Sequence, residues 1–430
     1  MLIHSLLERN SFRDFRQAHA WSVSNPAEFW RQAWKDLGIV GHQGNVTSKG
    51  EGFLNTQWFP EAKLNVVETL LKGDPAKEAV VSYLEDSSRT SISRGELKKL
   101  VTACALALQD CGIQKGDRVV AWMPNVPETM IFALGALAIG AVVSTASTDF
   151  GPVALLDRFG QIKPKLLFAA TTYQYSGKKF NLEEKLPDVL GSLPSVTKVV
   201  TLGPSQNGVD FQEWLKPFLG LEFEFPQFPF SQPGFILFSS GTTGKPKCII
   251  HSAAGVLLKV LSEQGYHLDI NEDDRVFYAT TCGWMMWNWL MIGLGRQSTI
   301  VLVDGSPAHP DLERFWEIAS RERLTFLGVS AALIETWRAH GVSPRQKFEI
   351  DQLRTIASTG SPLSPSGFDW VSEHVGREVK IASIAGGTDL CGCLVLGVPT
   401  ESAPRGEIQG PALGLDVRVF RPDGSESDAL

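Results

Sequence analysis

No window of the sequence approaches 18 uncharged apolar residues, so a membrane-spanning helix is excluded. The opening stretch MLIHSLLERNSFRDFRQ becomes charged before an apolar segment long enough for a signal peptide can form, and a cytoplasmic location is expected. The six cysteines (Cys104, Cys111, Cys248, Cys282, Cys391, Cys393) lack the paired spacing of a zinc ribbon or a disulfide framework, so most read as small core residues. Cys391 and Cys393 are split by one glycine, too close for a C-x-x-C metal site. Runs of five or six like charges are also lacking, and 40 Lys+Arg against 47 Asp+Glu leave a net charge of −7. That balance offers no basic footprint for nucleic acid or for an anionic membrane surface. Internal repeats and low-complexity segments are absent.

What is present is a globular composition of 430 residues, 43% hydrophobic and 20% charged, which excludes intrinsic disorder and a mini-protein. At about 150 residues per domain the length predicts two or three domains or subdomains. Residues 1–75 are rich in Trp and Phe at helical spacings (Phe12, Phe15, Trp21, Phe29, Trp30, Trp34, Trp58, Phe59) and read as a packed helical region. Ser93-x-x-Glu96 is a capping box, followed by Leu97, Leu100, Val101, Cys104, Leu108 and Cys111 at steps of three and four until Gly112.

Alternation of strand and helix then begins. Arg118–Met123 has β character, Pro127–Ile139 is an apolar helix, Ala141–Ser144 a strand, Val153–Ile162 a helix and Leu166–Ala169 a strand. The same rhythm returns with Phe235–Phe238, Arg275–Thr280, Thr299–Val303, Thr325–Val329, Leu353–Ala357 and Lys380–Ile384 as strands. The predicted class is α/β, with two doubly wound parallel sheets covered by helices on both faces. Residues 76–234 form the first α/β subdomain on this reading and 235–400 the second, with the proline-rich stretch 203–234 as an irregular connection. Residues 401–430 start a small β subdomain: Gly406–Gln409 and Val417–Phe420 have strand character, and Arg421-Pro422-Asp423-Gly424 resembles a hairpin tip. The chain stops six residues after that turn, which reads as truncation inside this subdomain.

The most informative segment is Phe238-Ser-Ser-Gly-Thr-Thr-Gly-Lys-Pro-Lys247, between a β run and the helical stretch near Ser252. Gly241 and Gly244 let backbone N–H groups turn inward as an anion nest. Ser240, Thr242 and Thr243 add hydroxyl donors, and Lys245 and Lys247 add positive charge. Such a set suits a triphosphate. A Walker P-loop would need Gly at 239 and Ser or Thr at 246, where this chain has Ser239 and Pro246. A Ser/Thr/Gly hairpin would not by itself require two lysines and two glycines in so few residues.

This segment resembles the phosphate-binding signature of the adenylate-forming enzymes, the acyl-CoA synthetases and their relatives. Trp58-Phe59-Pro60-x-Ala62-Lys63-Leu64-Asn65 is similar to the amino-terminal region of acetyl-CoA synthetase-type members. Gly116-Asp117-Arg118-Val119 and Met123-Pro124-Asn125 resemble their first sheet. Ala279–Trp289 and Arg405-Gly-Glu-Ile-Gln409 look most like members that activate acetoacetate.

The resemblance implies a ligase using ATP, Mg²⁺ and the co-substrate CoA to convert acetoacetate into acyl-AMP and then acyl-CoA. Thr243 and Lys245 of the loop would act with Thr388 on phosphate, and Ser240, Gly241, Thr242, Gly244 and Lys247 would complete the nucleotide contacts. Gly360-Ser361-Pro362 matches the adenine-binding turn, and Ser383-Ile-Ala-Gly-Gly-Thr-Asp389 the second nucleotide segment. Thr388 would bond the α-phosphate, and Asp389, in place of the commoner Glu, would hold the metal. Gly386 and Gly387 stand where acetate-specific relatives carry bulkier residues, among them a Trp, which implies a deeper acyl pocket. Trp284, Met285 and Asn288 would line that pocket, Asn288 touching a keto oxygen, while Trp287 and Trp289 read equally well as core. His251 reads as a satisfied structural residue, and Lys178 and Lys179 as a solvated pair lying where relatives approach CoA phosphates. The alternatives are another short- or medium-chain ligase, or a nucleotide-binding fragment without catalysis. A ribose-binding Asp, a hinge and a mobile carboxyl-terminal domain, which relatives carry, are not found in this sequence.

Overall fold

The structure is a computed structural model, and it describes residues 1–52, 54–239 and 244–427. The expected capping box is formed: Glu96 N–H donates to Ser93 Oγ (3.2 Å) and Ser93 N–H donates to the Glu96 carboxylate (2.8 Å), starting the helix Arg94–Asp110. Its apolar face packs on the helix Pro127–Ala138, which begins with proline at its first position and is buried along nearly its whole length. An apolar helix with no polar face needs protein on every side.

Two seven-stranded sheets supply that surround. The first runs Val209–Asp210, Lys198–Leu202, Leu166–Ala170, Arg118–Met123, Val142–Ser147, Pro233–Ser239, Lys247–Ser252. All neighbours in it are parallel except the last pair, a hairpin across the phosphate loop. The second runs Lys380–Ser383, Thr355–Thr359, Phe326–Ser330, Arg275–Tyr278, Thr299–Val303, Glu78–Tyr83, Arg89–Ser93, again parallel but for the terminal hairpin. The α/β class with two helix-covered sheets is therefore as the alternation predicts.

The division of strands between the sheets is not. Glu78–Tyr83 and Arg89–Ser93 belong to the second sheet, and Pro233–Ser239 and Lys247–Ser252 to the first, so the strands do not part at 234/235. Hydrophobic alternation marks a strand but not its partner; here the Thr299–Val303 edge recruits Glu78–Tyr83 in parallel register.

Other differences are local. Thr172–Tyr175 and Lys178–Asn181 form a hairpin that the sequence reading left out. The stretch 203–234 contains a short helix, Phe211–Leu215, capped by the Asp210 side chain. Neither Gly406–Gln409 nor Val417–Phe420 is a strand. The turn Arg421–Gly424 closes on one antiparallel bridge, Phe420 to Glu426, with Arg421 N–H donating to Ser425 O at 2.8 Å. A three-stranded antiparallel sheet, Ala385–Gly387, Gly392–Leu396 and Gly410–Pro411, follows the second large sheet.

The amino-terminal region has the helices Leu2–Arg9, Phe15–Ser24 and Pro26–Asp36, and buries Phe29, Trp30, Trp34 and Phe59 against the main body. On the outer face of the second sheet a separate core gathers Trp316, Trp337 and Trp370, with ring centroids 4.9 and 5.9 Å apart. No described helix is long and apolar enough to cross a membrane.

Candidate active site

The carboxyl ends of the strands in both sheets point to one place. In parallel sheets that edge collects free backbone groups and loops, and it is where ligands bind. Met123-Pro124-Asn125 leaves the first sheet there, and Asn125, 1% exposed, clamps the second sheet. Its Nδ2 donates to Thr280 O (3.1 Å) and Val303 O (3.2 Å), its Oδ1 accepts from Trp287 Nε1 (3.0 Å), and its N–H donates to Asp304 (2.9 Å). Cys282 returns the contact: its thiol donates to Met123 O (2.9 Å). The cysteine is a buried structural donor, and burial raises its pKa far above the ordinary thiol value.

Between the sheets opens a cleft of about 670 Å³, lined by Ser147, Thr148, Thr281, Trp284, Asp304, Thr359 and Gly360 among others. Gly360, at φ +89°, turns the chain at the end of its strand, and Ser361 and Pro362 follow on the surface. The expected adenine turn thus lies at this cleft's rim. Burial raises the Asp304 carboxyl above its ordinary range, against the hydrogen bond from Asn125 N–H and the charge of Arg314.

A second, smaller cavity of about 70 Å³ adjoins it, lined by Thr145, Phe150, Arg158, Leu237, Phe238, Cys282, Gly283, Trp284, Met285, Asn288 and Thr388. Trp284 lines both spaces and is 58% exposed, standing between them as the N-cap of the helix Met285–Ile292. Asn288 is 2% exposed, and its buried Oδ1 accepts no hydrogen bond among the described residues. A buried amide oxygen without a donor costs on the order of 1–3 kcal/mol, which a bound donor would return. Trp287 and Trp289 are fully buried. Both are core, their indole N–H groups donating to Asn125 (3.0 Å) and Glu263 (2.9 Å).

Thr388 follows the strand Ala385–Gly387. Its carbonyl accepts from His251 Nε2 at 2.8 Å, which ties this turn to the edge strand after the phosphate loop. Burial lowers the His251 pKa, so the ring is neutral and structural. Glu263, fully buried, accepts from Lys259 Nζ (2.5 Å), Trp289 Nε1 (2.9 Å) and Cys393 N–H (2.8 Å), fixing the strand Gly392–Leu396 on which the turn rests. The sequence reading missed this pair; the i,i+4 spacing of Lys259 and Glu263 is its only trace.

Asp389 is exposed, and its carboxylate makes no hydrogen bond or ion pair among the described residues. One uncommitted carboxylate fits Mg²⁺, which is commonly held by one or two carboxylates plus substrate phosphates and water. No cluster of three His, Cys, Asp or Glu suited to a metal occurs among the described residues, so an all-protein cage is not offered. Ser383 is buried at the end of its strand.

Ser240, Gly241, Thr242 and Thr243 lie outside the described residues. Gly244, Lys245 and Lys247 are exposed beside them, with Lys245 Nζ 3.5 Å from Asp157 and Pro246 O accepting from Gln161 Nε2 at 2.9 Å. The helix Pro152–Phe159 thus flanks the loop.

One expected contact is corrected. Gly386 pairs with Cys393, and a Cβ there would lie 2.7 Å from Cys393 Cα and closer still to the Gly392 carbonyl. Position 386 faces a neighbouring backbone, not the small cavity, and does not line it. At Gly387 the nearest atom to an added Cβ is Asp389 Oδ2 at 3.7 Å, so that position is open. Lys178 and Lys179 are exposed on their hairpin, away from the small cavity.

Residues 67–428 match the model of the AMP-binding enzyme family, and residues 15–69 that of the acetyl-coenzyme A synthetase N-terminus. The chain belongs to the AMP-binding enzyme family. It is 42% identical over 423 residues to the acetoacetyl-coenzyme A synthetase of Rhizobium meliloti (strain 1021), covering 96% of this chain and 65% of that protein. To the acetoacetyl-CoA synthetase of Gallus gallus it is 36% identical over 430 residues, covering 96% and 64%. The solved acetoacetyl-CoA synthetase from Streptomyces lividans superposes with a TM-score of 0.93 at 32% identity, over 99% of this chain and 68% of that one. The chain therefore spans about two thirds of the length of the relatives it matches.

Proposed function

We propose that this chain carries the ATP-dependent activation of acetoacetate, a cytoplasmic acid–thiol ligase reaction releasing AMP and pyrophosphate and passing the acyl group to CoA. The observation that carries the reading is the small cavity that brings the buried Asn288 side chain together with Thr388. The Nδ2 group of Asn288 can donate to a 3-oxo oxygen placed there, a contact that an unsubstituted aliphatic acid has no oxygen to accept.

In the reaction the acyl carboxylate attacks the α-phosphorus of ATP and pyrophosphate leaves. The thiolate sulfur of CoA then attacks the acyl carbon and AMP departs. Two anions must meet in the first step, so the chain's work is alignment and neutralisation of charge. Lys245 and Lys247, with Ser240, Gly241, Thr242, Thr243 and Gly244, are assigned to the β- and γ-phosphates and to the charge that develops on leaving pyrophosphate. Thr388 Oγ1 is assigned to the α-phosphate. Asp389 would hold Mg²⁺, which supplies charge neutralisation between the phosphates when bound. The Gly360 turn at the large cleft takes the adenine, and that cleft also admits the thiol past Trp284.

The test is pyrophosphate exchange into ATP with acetate, butyrate and acetoacetate, together with mass-spectrometric detection of the acyl-AMP. Exchange greatest with acetoacetate supports the reading. Exchange with acetate but not acetoacetate overturns the substrate, and nucleotide binding with no adenylate from any acid overturns catalysis by this chain.

A further inference from the structure

The small cavity holds one cation that the functional reading leaves unused. Arg158, near the carboxyl end of the helix Pro152–Phe159, lines it together with Asn288 and Thr388. Its guanidinium lies over the Phe150 ring, 4.6 Å from the centroid, and Nη1 donates to Ala154 O at 2.7 Å. These contacts fix its plane and leave most of its five donors uncommitted. It forms no ion pair with any described carboxylate. The adjacent Asp157 turns instead to Lys245 of the phosphate loop. A half-buried guanidinium without a counter-ion, in a cavity wall, is placed for an anion that arrives from outside the chain.

The cavity wall carries two chemically distinct groups, Arg158 and Asn288. Arg158 belongs to the helix whose Asp157 meets Lys245 of the phosphate loop, and it shares the cavity with Thr388, so it stands beside the place from which a carboxylate would reach the α-phosphorus. Asn288, from the buried helix Met285–Ile292, offers a neutral amide.

We propose that Arg158 binds the carboxylate of the acid substrate and orients it toward the α-phosphate, with the 3-oxo oxygen directed to Asn288. This rests on the ligase reading above and adds to it the residue that receives the acid group. Holding the carboxylate by a fork of parallel N–H donors keeps one oxygen in a set direction for attack while part of its charge is offset. A neutral ligand of the same shape gains nothing from the guanidinium.

The experiment compares acetoacetate with acetoacetamide, which keeps the 3-oxo group and loses the charge. Binding of each to the full chain is measured by calorimetry in the presence of a non-hydrolysable ATP analogue, for the parent, Arg158→Gln and Arg158→Lys. The expected result is a loss of acetoacetate affinity of about tenfold or more in Arg158→Gln, partial recovery in Arg158→Lys, and less than about twofold change for acetoacetamide. The acid-to-amide ratio within one variant is insensitive to a fraction of unfolded protein. Equal losses for both ligands, or no loss for the acid, overturn the assignment. A loss of affinity for the ATP analogue with acid binding unchanged would place Arg158 on the nucleotide phosphate and also overturn it. If the parent binds acetoacetate and the variants match it, only the Arg158 role fails. If the parent binds no acid at all, the acyl-site reading fails and Arg158's role with it.

Discussion

Asn125 ties the two sheets together beside the candidate site, and its removal gives the sharpest test of that geometry. Asn125→Ala deletes two bonds to the buried carbonyls of Thr280 and Val303 and the acceptor for Trp287 Nε1. Each lost bond is worth about 1 kcal/mol, and the fully buried indole N–H left without a partner adds about 1–3 kcal/mol, so the expected loss is about 3–5 kcal/mol. Asn125→Asp keeps an acceptor for Trp287 but presents carboxylate oxygens to two carbonyls. It should be at least as damaging near neutral pH and partly relieved on protonation. Urea unfolding followed by Trp fluorescence reports the stability. Amide hydrogen exchange read on peptides spanning 275–289 and 299–306 reports whether the strand ends at the cleft loosen first. A stability change under about 0.5 kcal/mol with unchanged protection there would refute the clamp, since ordinary surface substitutions fall in that range.

Three further outcomes follow from the same geometry. Lys245→Ala should leave stability nearly unchanged, because its contact with Asp157 is 3.5 Å long and its side chain is 76% exposed. It should weaken ATP binding by about 1.5–3 kcal/mol, and unchanged calorimetric affinity would remove Lys245 from the phosphate site. His267 is buried, donates from Nδ1 to Gly397 O (2.9 Å) and accepts Leu413 N–H at Nε2 (3.1 Å), and burial holds its pKa down to about 3. Its folded pKa lies below the unfolded value, so its contribution is complete above about pH 6.5 and falls by about 1.4 kcal/mol per pH unit below that, toward pH 3. The difference between the parent and His267→Gln in urea midpoints at pH 7.5, 6 and 5 should shrink with acidity, and a pH-independent difference would contradict it. Gly386→Ala should destabilise the small sheet while Gly387→Ala is tolerated, read as melting temperatures; equal shifts would show that the 386 backbone yields.

The fold was legible wherever local chemistry and tertiary packing agree. Ser93 and Glu96 cap a helix because their partners are three residues apart, and Pro127 starts one because its missing N–H falls where no bond is due. Pairing of distant strands has no such local cause. Glu78–Tyr83 joins the second sheet because of Thr299–Val303, over two hundred residues away, and nothing within residues 78–83 encodes that choice. The clamp at Asn125 is of the same kind. Its tripeptide marks a family resemblance in the sequence, but the role comes from Thr280, Val303 and Trp287 arriving from elsewhere in the chain.

The site divides in the same way between residue identity and direction. The sequence assigns Trp284, Met285 and Asn288 to an acyl pocket and Thr388 to the α-phosphate, and the four line one cavity. Gly386 was picked out by the same reasoning and does not line it. Consecutive residues of a strand point to opposite faces, so a shift of one position decides whether a substituent meets solvent or a neighbouring strand. That register is set by the pairing of Gly386 with Cys393, and the second strand is held by Glu263 accepting the Cys393 N–H at 2.8 Å. Glu263 stays in place because Lys259 and Trp289 saturate it. The direction of a glycine at the rim of the site is therefore fixed by a buried carboxylate on a different helix. A pocket enlarged by removing a side chain at 386 would need that network to move. The open space near that rim lies instead against the helix Met285–Ile292, where Met285 and Asn288 form part of the wall of the small cavity.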